Sequence, residues 1–155
     1  MNTSSRFLLT WEEPEVVYGT ELTRELISEG RLKLGPIGED VKISYHGPCH
    51  NGRELGMYEE AIEVVEAIRG VTRVENETSR AAAMCCGEGG GLRSSNGELS
   101  KQIAADRVRT AEKTGASILA TACPFCELNL VAGASLESNQ MEVVDITSVL
   151  ERSIE

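Results

Sequence analysis

Ser117-Ile-Leu-Ala-Thr-Ala-Cys-Pro-Phe-Cys126 is the stretch on which the reading of this chain turns. A strand with one wet face alternates polar and apolar side chains, whereas residues 117–121 read as an apolar run of the kind buried on both faces of a parallel sheet. The run leads directly into Cys123-Pro124-Phe125-Cys126. Proline suits the first turn of a helix, because its φ is already helical and its missing N–H is not needed there. Cys123 is therefore placed near a helix cap and Cys126 in the first turn, where free N–H groups and the positive end of the helix dipole favour thiolate over thiol.

Working outward, the same strand-then-helix unit recurs. Val41-Lys-Ile-Ser-Tyr45 alternates as a strand and ends in His46-Gly-Pro-Cys49-His50. A helix from about Met57 to Arg69 carries Met57, Ala61, Val64, Val65 and Ile68 at helical spacing, with Gly70 as its stop. Val71-Thr-Arg-Val74 resumes as a strand and feeds the loop holding Cys85-Cys86-Gly87-Glu-Gly89-Gly90-Gly91. Ser95-Asn-Gly-Glu98 reads as a capping box, opening a helix to about Lys113 with Leu99, Ile103 and Val108 inward. The helix after Cys126 is expected to end near Gly133, Glu142–Ile146 to form a last strand, and Thr147 to cap a short terminal helix. Before this regular part, residues 1–14 are a loose lead-in, 16–18 a possible short strand, Thr20–Glu29 a helix closed by Gly30, and 32–38 a linker. The order βαβαβαβα predicts an α/β fold, a parallel sheet with helices on both faces.

All five cysteines follow the carboxyl ends of predicted strands, in the pattern C-x35-CC-x36-C-x2-C. Ligands of open parallel sheets bind in the crevice beyond those ends, so the topology is expected to gather sulfur from three remote loops onto one edge. Gly87, Gly89, Gly90 and Gly91 leave backbone amides open to an anionic sulfur centre. A mononuclear zinc or a cubane cluster takes four ligands, and adjacent cysteines diverge. Five thiols therefore suit either a multi-iron centre of unusual shape or a four-ligand centre with a spare reactive thiol. Five reduced cysteines packed in a core is the plain alternative.

Composition narrows the function classes. The chain has 155 residues, enough for one core, and only 4% aromatics, so Val, Ile, Leu and Ala must build it. A net charge of −10 argues against nucleic acid and anionic membrane as partners. No apolar run reaches the roughly 18–20 residues of a membrane span, and the N-terminal apolar patch is too short for a secretory signal. The expectation is a cytoplasmic protein with reduced thiols. The glycine run lacks the endings of nucleotide-binding loops.

Cys49, then Cys85-Cys86-Gly87, then Cys123-Pro124-Phe125-Cys126 at these separations resembles the cysteine-rich CCG domain, and Tyr45-His46-Gly47-Pro48-Cys49-His50-Asn51-Gly52-Arg53 matches that family's style around its first cysteine. The family includes catalytic subunits of heterodisulfide reductases and iron–sulfur subunits of lactate, glycolate and glycerol-3-phosphate oxidoreductases. The resemblance implies that residues 15–155 are one CCG domain, similar to the C-terminal half of larger members. It implies a noncubane [4Fe–4S] cluster held by Cys49, Cys85, Cys86, Cys123 and Cys126, with Gly87 and Gly89 against it. The implied activity is electron transfer and disulfide reduction by an oxidoreductase subunit, with a disulfide or thiol as the small-molecule substrate. Members usually carry two modules and often a ferredoxin-like segment; one module here implies a second CCG module, a ferredoxin-like subunit or a flavoprotein as partner, with the assembly cytoplasmic or peripheral to a membrane complex. His46 and His50 flank Cys49 as proton donors or as hydrogen bonders to sulfur, with Cys49, Cys85 and Cys86 at the reacting centre. Arg53 and Arg93 are candidates to pair an anionic group. Two other readings stand beside this one: an electron-transferring subunit of a flavin-dependent hydroxyacid dehydrogenase, and an interaction module in which zinc substitutes for the cluster.

Overall fold

The computed structural model describes residues 14–138 and 140–155. Four parallel strands, β1 (Val41–His46), β2 (Val71–Val74), β3 (Ile118–Thr121) and β4 (Glu142–Asp145), form one sheet in the order β2-β1-β3-β4. Its register pairs Val41 with Val71, Ile43 with Ile118, and Ile118 with Glu142. The helices are α1 (Gly19–Ser28), α2 (Glu60–Glu66), α3 (Leu92–Ser95), α4 (Gly97–Glu112), α5 (Pro124–Leu136) and α6 (Ile146–Ser153).

Strand order and helix placement follow from one rule. Parallel crossovers are right-handed, so a chain that steps from β1 out to β2, and then back past β1 to β3, must carry its two connections on opposite faces. Two apolar clusters record this. Ile43, Ile118, Ala120 and Val144 pack with Ala61, Val64, Val65 and Ile68 of α2 and with Val149 and Leu150 of α6. Leu119 on the other face packs with Ala104, Val108 and Ala111 of α4 and Leu130 and Ala134 of α5. Helices thus cover both faces, and β3, central and buried at all four positions, is the two-sided strand that its apolar run predicts.

The differences from the expected elements have local causes. Residues 14–18 form no strand, and Val16 is 83% exposed with no neighbour strand to pair with. The second helix is shorter than expected, Glu60–Glu66, and is preceded by an extra π-helical turn, His50–Glu54. Asn96, not Ser95, caps α4: its Oδ1 accepts from Leu99 N at 3.1 Å, while Ser95 belongs to α3. Leu99 points outward, 43% exposed. Asp145 rather than Thr147 caps α6, accepting from Thr147 N at 2.9 Å. Gly133 does not stop α5, which continues to Leu136; it is instead a close packing contact with α4. The lead-in expected over residues 1–14 lies, apart from Pro14, outside the described residues.

Candidate metal centre

In the order β2-β1-β3-β4 the connections leaving β1 and β3 diverge to opposite sides, which opens a crevice at their carboxyl ends. Three loops meet there.

The first begins at His46, the last residue of β1, which is 1% exposed. Its carbonyl accepts from Thr121 Oγ1 at 3.0 Å, tying the ends of β1 and β3 together. Gly47 and Pro48 then lead to an exposed Cys49 and the π-helical turn, whose i→i+5 bonds run from Glu54 N to Cys49 O (3.3 Å) and from Leu55 N to His50 O (3.2 Å). Such turns are rare and concentrate at functional sites. The second loop leaves β2 through Asn76, whose Nδ2 donates to Tyr45 O at 3.3 Å. Arg80 then pairs with Glu59 (2.6 Å) and with Glu75, and Arg53 Nη1 donates to Ala83 O at 2.5 Å, joining this loop to the first.

The doublet follows, with Cys85 exposed and Cys86 buried and the two thiols within hydrogen-bonding reach of each other. Gly87 turns the chain with φ +86°, and a Cβ there would meet Ser100 O at 2.7 Å. Only glycine meets both demands. Its N–H donates to Cys85 Sγ at 3.3 Å. Asn129 Nδ2 donates to Cys86 O at 2.7 Å, and Ser100 Oγ to Gly87 O at 2.8 Å. The third loop is the shortest: Cys123 is the cap of α5, Pro124 opens it and Cys126 lies buried in its first turn.

These paths bring the metal-ligating atoms of His46, Cys86 and Cys126 within 4.8 Å of one another, all buried. Cys86 and Cys126 act as a pair. The Cys126 thiol donating to Cys86, ahead of the opposing effect of burial, is the main cause of a Cys86 thiol pulled well down; the His46 ring and the Glu88 N–H also lower it. The same bond pushes Cys126 up. Cys85 is raised, first by burial and also by the charges of Cys86 and Cys49, while Gly87 N–H acts the other way. Cys123 acts on Cys126 in the same manner. An electrostatic chain thus runs from Cys49 through Cys85, Cys86 and Cys126 to Cys123, and all five thiols are free.

The remaining predicted residues fall elsewhere. His50 is on the surface, its Nδ1 2.5 Å from Glu54 Oε2, on the rim of a cleft shared with Cys123, Phe125 and α1. Gly89 is exposed with open space around it. Arg93 pairs with Glu88 at 3.0 Å, and Arg53 is spent on Ala83 O. Sequence reasoning missed three buried polar residues, Ser100, Arg107 and Asn129. For Arg107 a signal was present: it stands with Ala104, Val108 and Ala111 on the inward stripe of α4, where a charge is out of place.

A parallel α/β sheet that collects free cysteines from three loops at its switch point defines a thiol-centred domain. The chain belongs to the CCG family, described as a cysteine-rich domain, whose pattern it matches over residues 43–131. It is 35% identical over 140 residues to the D-type subunit of the dihydromethanophenazine:CoB–CoM heterodisulfide reductase of Methanosarcina acetivorans, covering 90% of this chain and 34% of that one. It is also 34% identical over 145 residues to a probable iron-sulfur-binding oxidoreductase of Bacillus subtilis, covering 92% of this chain and 20% of the other. With an EtfAB:quinone oxidoreductase of Syntrophomonas wolfei it shares 31% identity over 151 residues, 91% of this chain and 21% of that one. The chain therefore spans about a third or less of the length of these relatives. Among the described residues, no helix is long and apolar enough to cross a membrane.

Proposed function

We propose that this domain is an iron–sulfur redox module of the heterodisulfide-reductase type, holding a noncubane [4Fe–4S] cluster through Cys49, Cys85, Cys86, Cys123 and Cys126. The observation that carries the reading is that Cys86 and Cys126, from two different loops, come within 4.8 Å of each other and of His46, which opens the loop bearing Cys49. The residues fit such a group. Sulfur donors suit iron, and His46 Nε2 is a buried polar atom with no hydrogen-bond partner among the described residues. When bound, the cluster supplies one-electron steps and an iron to which substrate sulfur can attach.

The chain's own residues have distinct tasks in this reading. Gly87 N–H and the α5 N-terminus stabilise negative charge on sulfur. The exposed Cys49 and Cys85 form the face open to substrate, with His50 beyond them as a source of protons. Splitting a disulfide breaks one S–S bond, consumes two electrons and two protons, and releases two thiols. The electrons come from a partner subunit, a second CCG module, a ferredoxin-like chain or a flavoprotein. The relationship to the quinone oxidoreductase favours a second reading, electron transfer without disulfide chemistry.

Anaerobic reconstitution with iron and sulfide tests this. About four iron and four sulfide per chain are expected, with an EPR signal that Cys86→Ser and Cys126→Ser abolish. A disulfide that perturbs that signal supports the reductase, and indifference to every disulfide tried favours the electron carrier. No iron uptake, with one tightly held zinc instead, overturns both in favour of a zinc-stabilised interaction module.

A further inference from the structure

Arg107 is an anomaly outside the thiol set. It is fully buried, at 0% exposure, on the inner stripe of α4. Its Nη1 donates to Thr78 O (3.0 Å) and Thr78 Oγ1 (3.1 Å), and its Nε to His46 Nδ1 (3.1 Å), while Nη2 is buried without a partner among the described residues. Burial alone shifts its pKa, downward to about 10, and no carboxylate among the described residues offsets it, so the guanidinium remains charged at neutral pH. A buried cation with no counter-ion is costly, and an unsatisfied donor adds to the cost.

The bond to His46 has a chemical consequence. A guanidinium can only donate, so His46 Nδ1 must offer its lone pair. In the neutral ring the proton then sits on Nε2, which is buried with no hydrogen-bond partner among the described residues, on a ring that offers a nitrogen within 4.8 Å of the Cys86 and Cys126 sulfurs. A ring held this way presents an N–H, not a lone pair. His46 is thereby a donor to sulfur and not a metal ligand.

We propose that Arg107 is a positioning residue for the thiol centre: from behind His46 it fixes the ring so that Nε2–H is presented to the cysteine sulfurs, and it supplies the buried positive charge that balances an anionic iron–sulfur group. The second half rests on the iron–sulfur reading above; the first half does not. Hydrogen bonds and positive charge directed at cluster sulfur favour the reduced state, so both effects raise the reduction potential.

The test has two arms. In the reduced, metal-free protein, which has only two histidines to assign, long-range 1H–15N correlation spectra will show His46 as the Nε2–H tautomer. Arg107→Met will turn it into a mixture of tautomers. In the reconstituted protein, EPR-monitored redox titration will show a lower midpoint potential for Arg107→Met, with part of the shift recovered in Arg107→Lys, which restores charge but not the paired geometry. An Nδ1–H tautomer in the unsubstituted protein overturns the proposal whether or not any variant folds. An unchanged potential in folded, loaded Arg107→Met overturns the charge-balancing half. The stated tautomer with no iron uptake defeats the iron–sulfur reading and leaves the ring-positioning half standing.

Discussion

Asn129 is 1% exposed and spends its whole side chain on the cysteine doublet and its support. Nδ2 donates to Cys86 O (2.7 Å) and Ser100 O (3.1 Å), and Oδ1 lies 3.3 Å from Ser100 Oγ. A leucine of similar volume removes both donors and strands the Cys86 carbonyl, while Ser100 O keeps its place in the α4 ladder, and an orphaned buried group costs about 1–3 kcal/mol. Asn129→Leu is therefore expected to destabilise the reduced, metal-free protein by about 1–3 kcal/mol, read as a lower urea midpoint at unchanged slope. A midpoint within error of the parent means the amide does not hold the doublet. The cysteines themselves were legible because thiols are scarce and their spacing is distinctive. Asn129 was not, since an asparagine one turn beyond Cys126 carries no mark until the inward face of α5 is known. His46 was legible as a residue near the site but not as a buried one: the alternation of β1 assigns its face, and only the sheet order puts α4 over that face.

The pair α4 and α5 positions Ser100, Arg107, Cys126 and Asn129, and the two helices touch most closely at Gly133. A Cβ there would lie 2.6 Å from Ala104 C and Ala105 N and 2.8 Å from Ala104 Cβ, so backbone must move to admit it. Two effects compete in Gly133→Ala. Alanine improves the helix by about 1 kcal/mol, but forced separation of a packed interface costs about 1–3 kcal/mol, here against rigid backbone. The clash wins, and a lower Tm by circular dichroism is the expected outcome; a higher one refutes the close packing. In sequence the same glycine reads as a helix stop, because a glycine that ends a helix and one that admits a neighbour look identical in one dimension. Caps mislead for a related reason. Ser95 and Asn96, like Asp145 and Thr147, are adjacent or near-adjacent residues of similar capping preference, and which one caps depends on where tertiary packing sets the first turn. What local pattern does carry is the element order, since β1 alternates, β3 is apolar throughout, and α2 repeats Ala61, Val64, Val65 and Ile68.

Over the whole molecule, the apolar clusters and the cysteine loops divide the labour of stability. The cluster under α2 and α6 is hydrocarbon throughout, whereas the site end rests on a few hydrogen bonds: Arg53 to Ala83, Asn76 to Tyr45, Thr121 to His46 and Asn129 to Cys86. The chain is strongly acidic, with a net charge of −10, yet Arg53, Arg80 and Arg107 all sit on or between these loops. An inorganic group bonded to cysteines of three loops would cross-link segments otherwise joined weakly, and binding to the folded state alone stabilises that state. Comparing metal-free and reconstituted protein by anaerobic hydrogen exchange is then expected to show at least roughly tenfold slower exchange in the loops after β1, β2 and β3. Amides of α2 and α6, which exchange through global opening, should slow only in proportion to the gain in Tm. Cys86→Ser should remove both effects, while Cys49→Ser, at the exposed margin, should retain the slowing after β2 and β3 and lose it after β1. Uniform slowing across the chain, with no excess in the three loops, would mean that whatever binds does not bridge them.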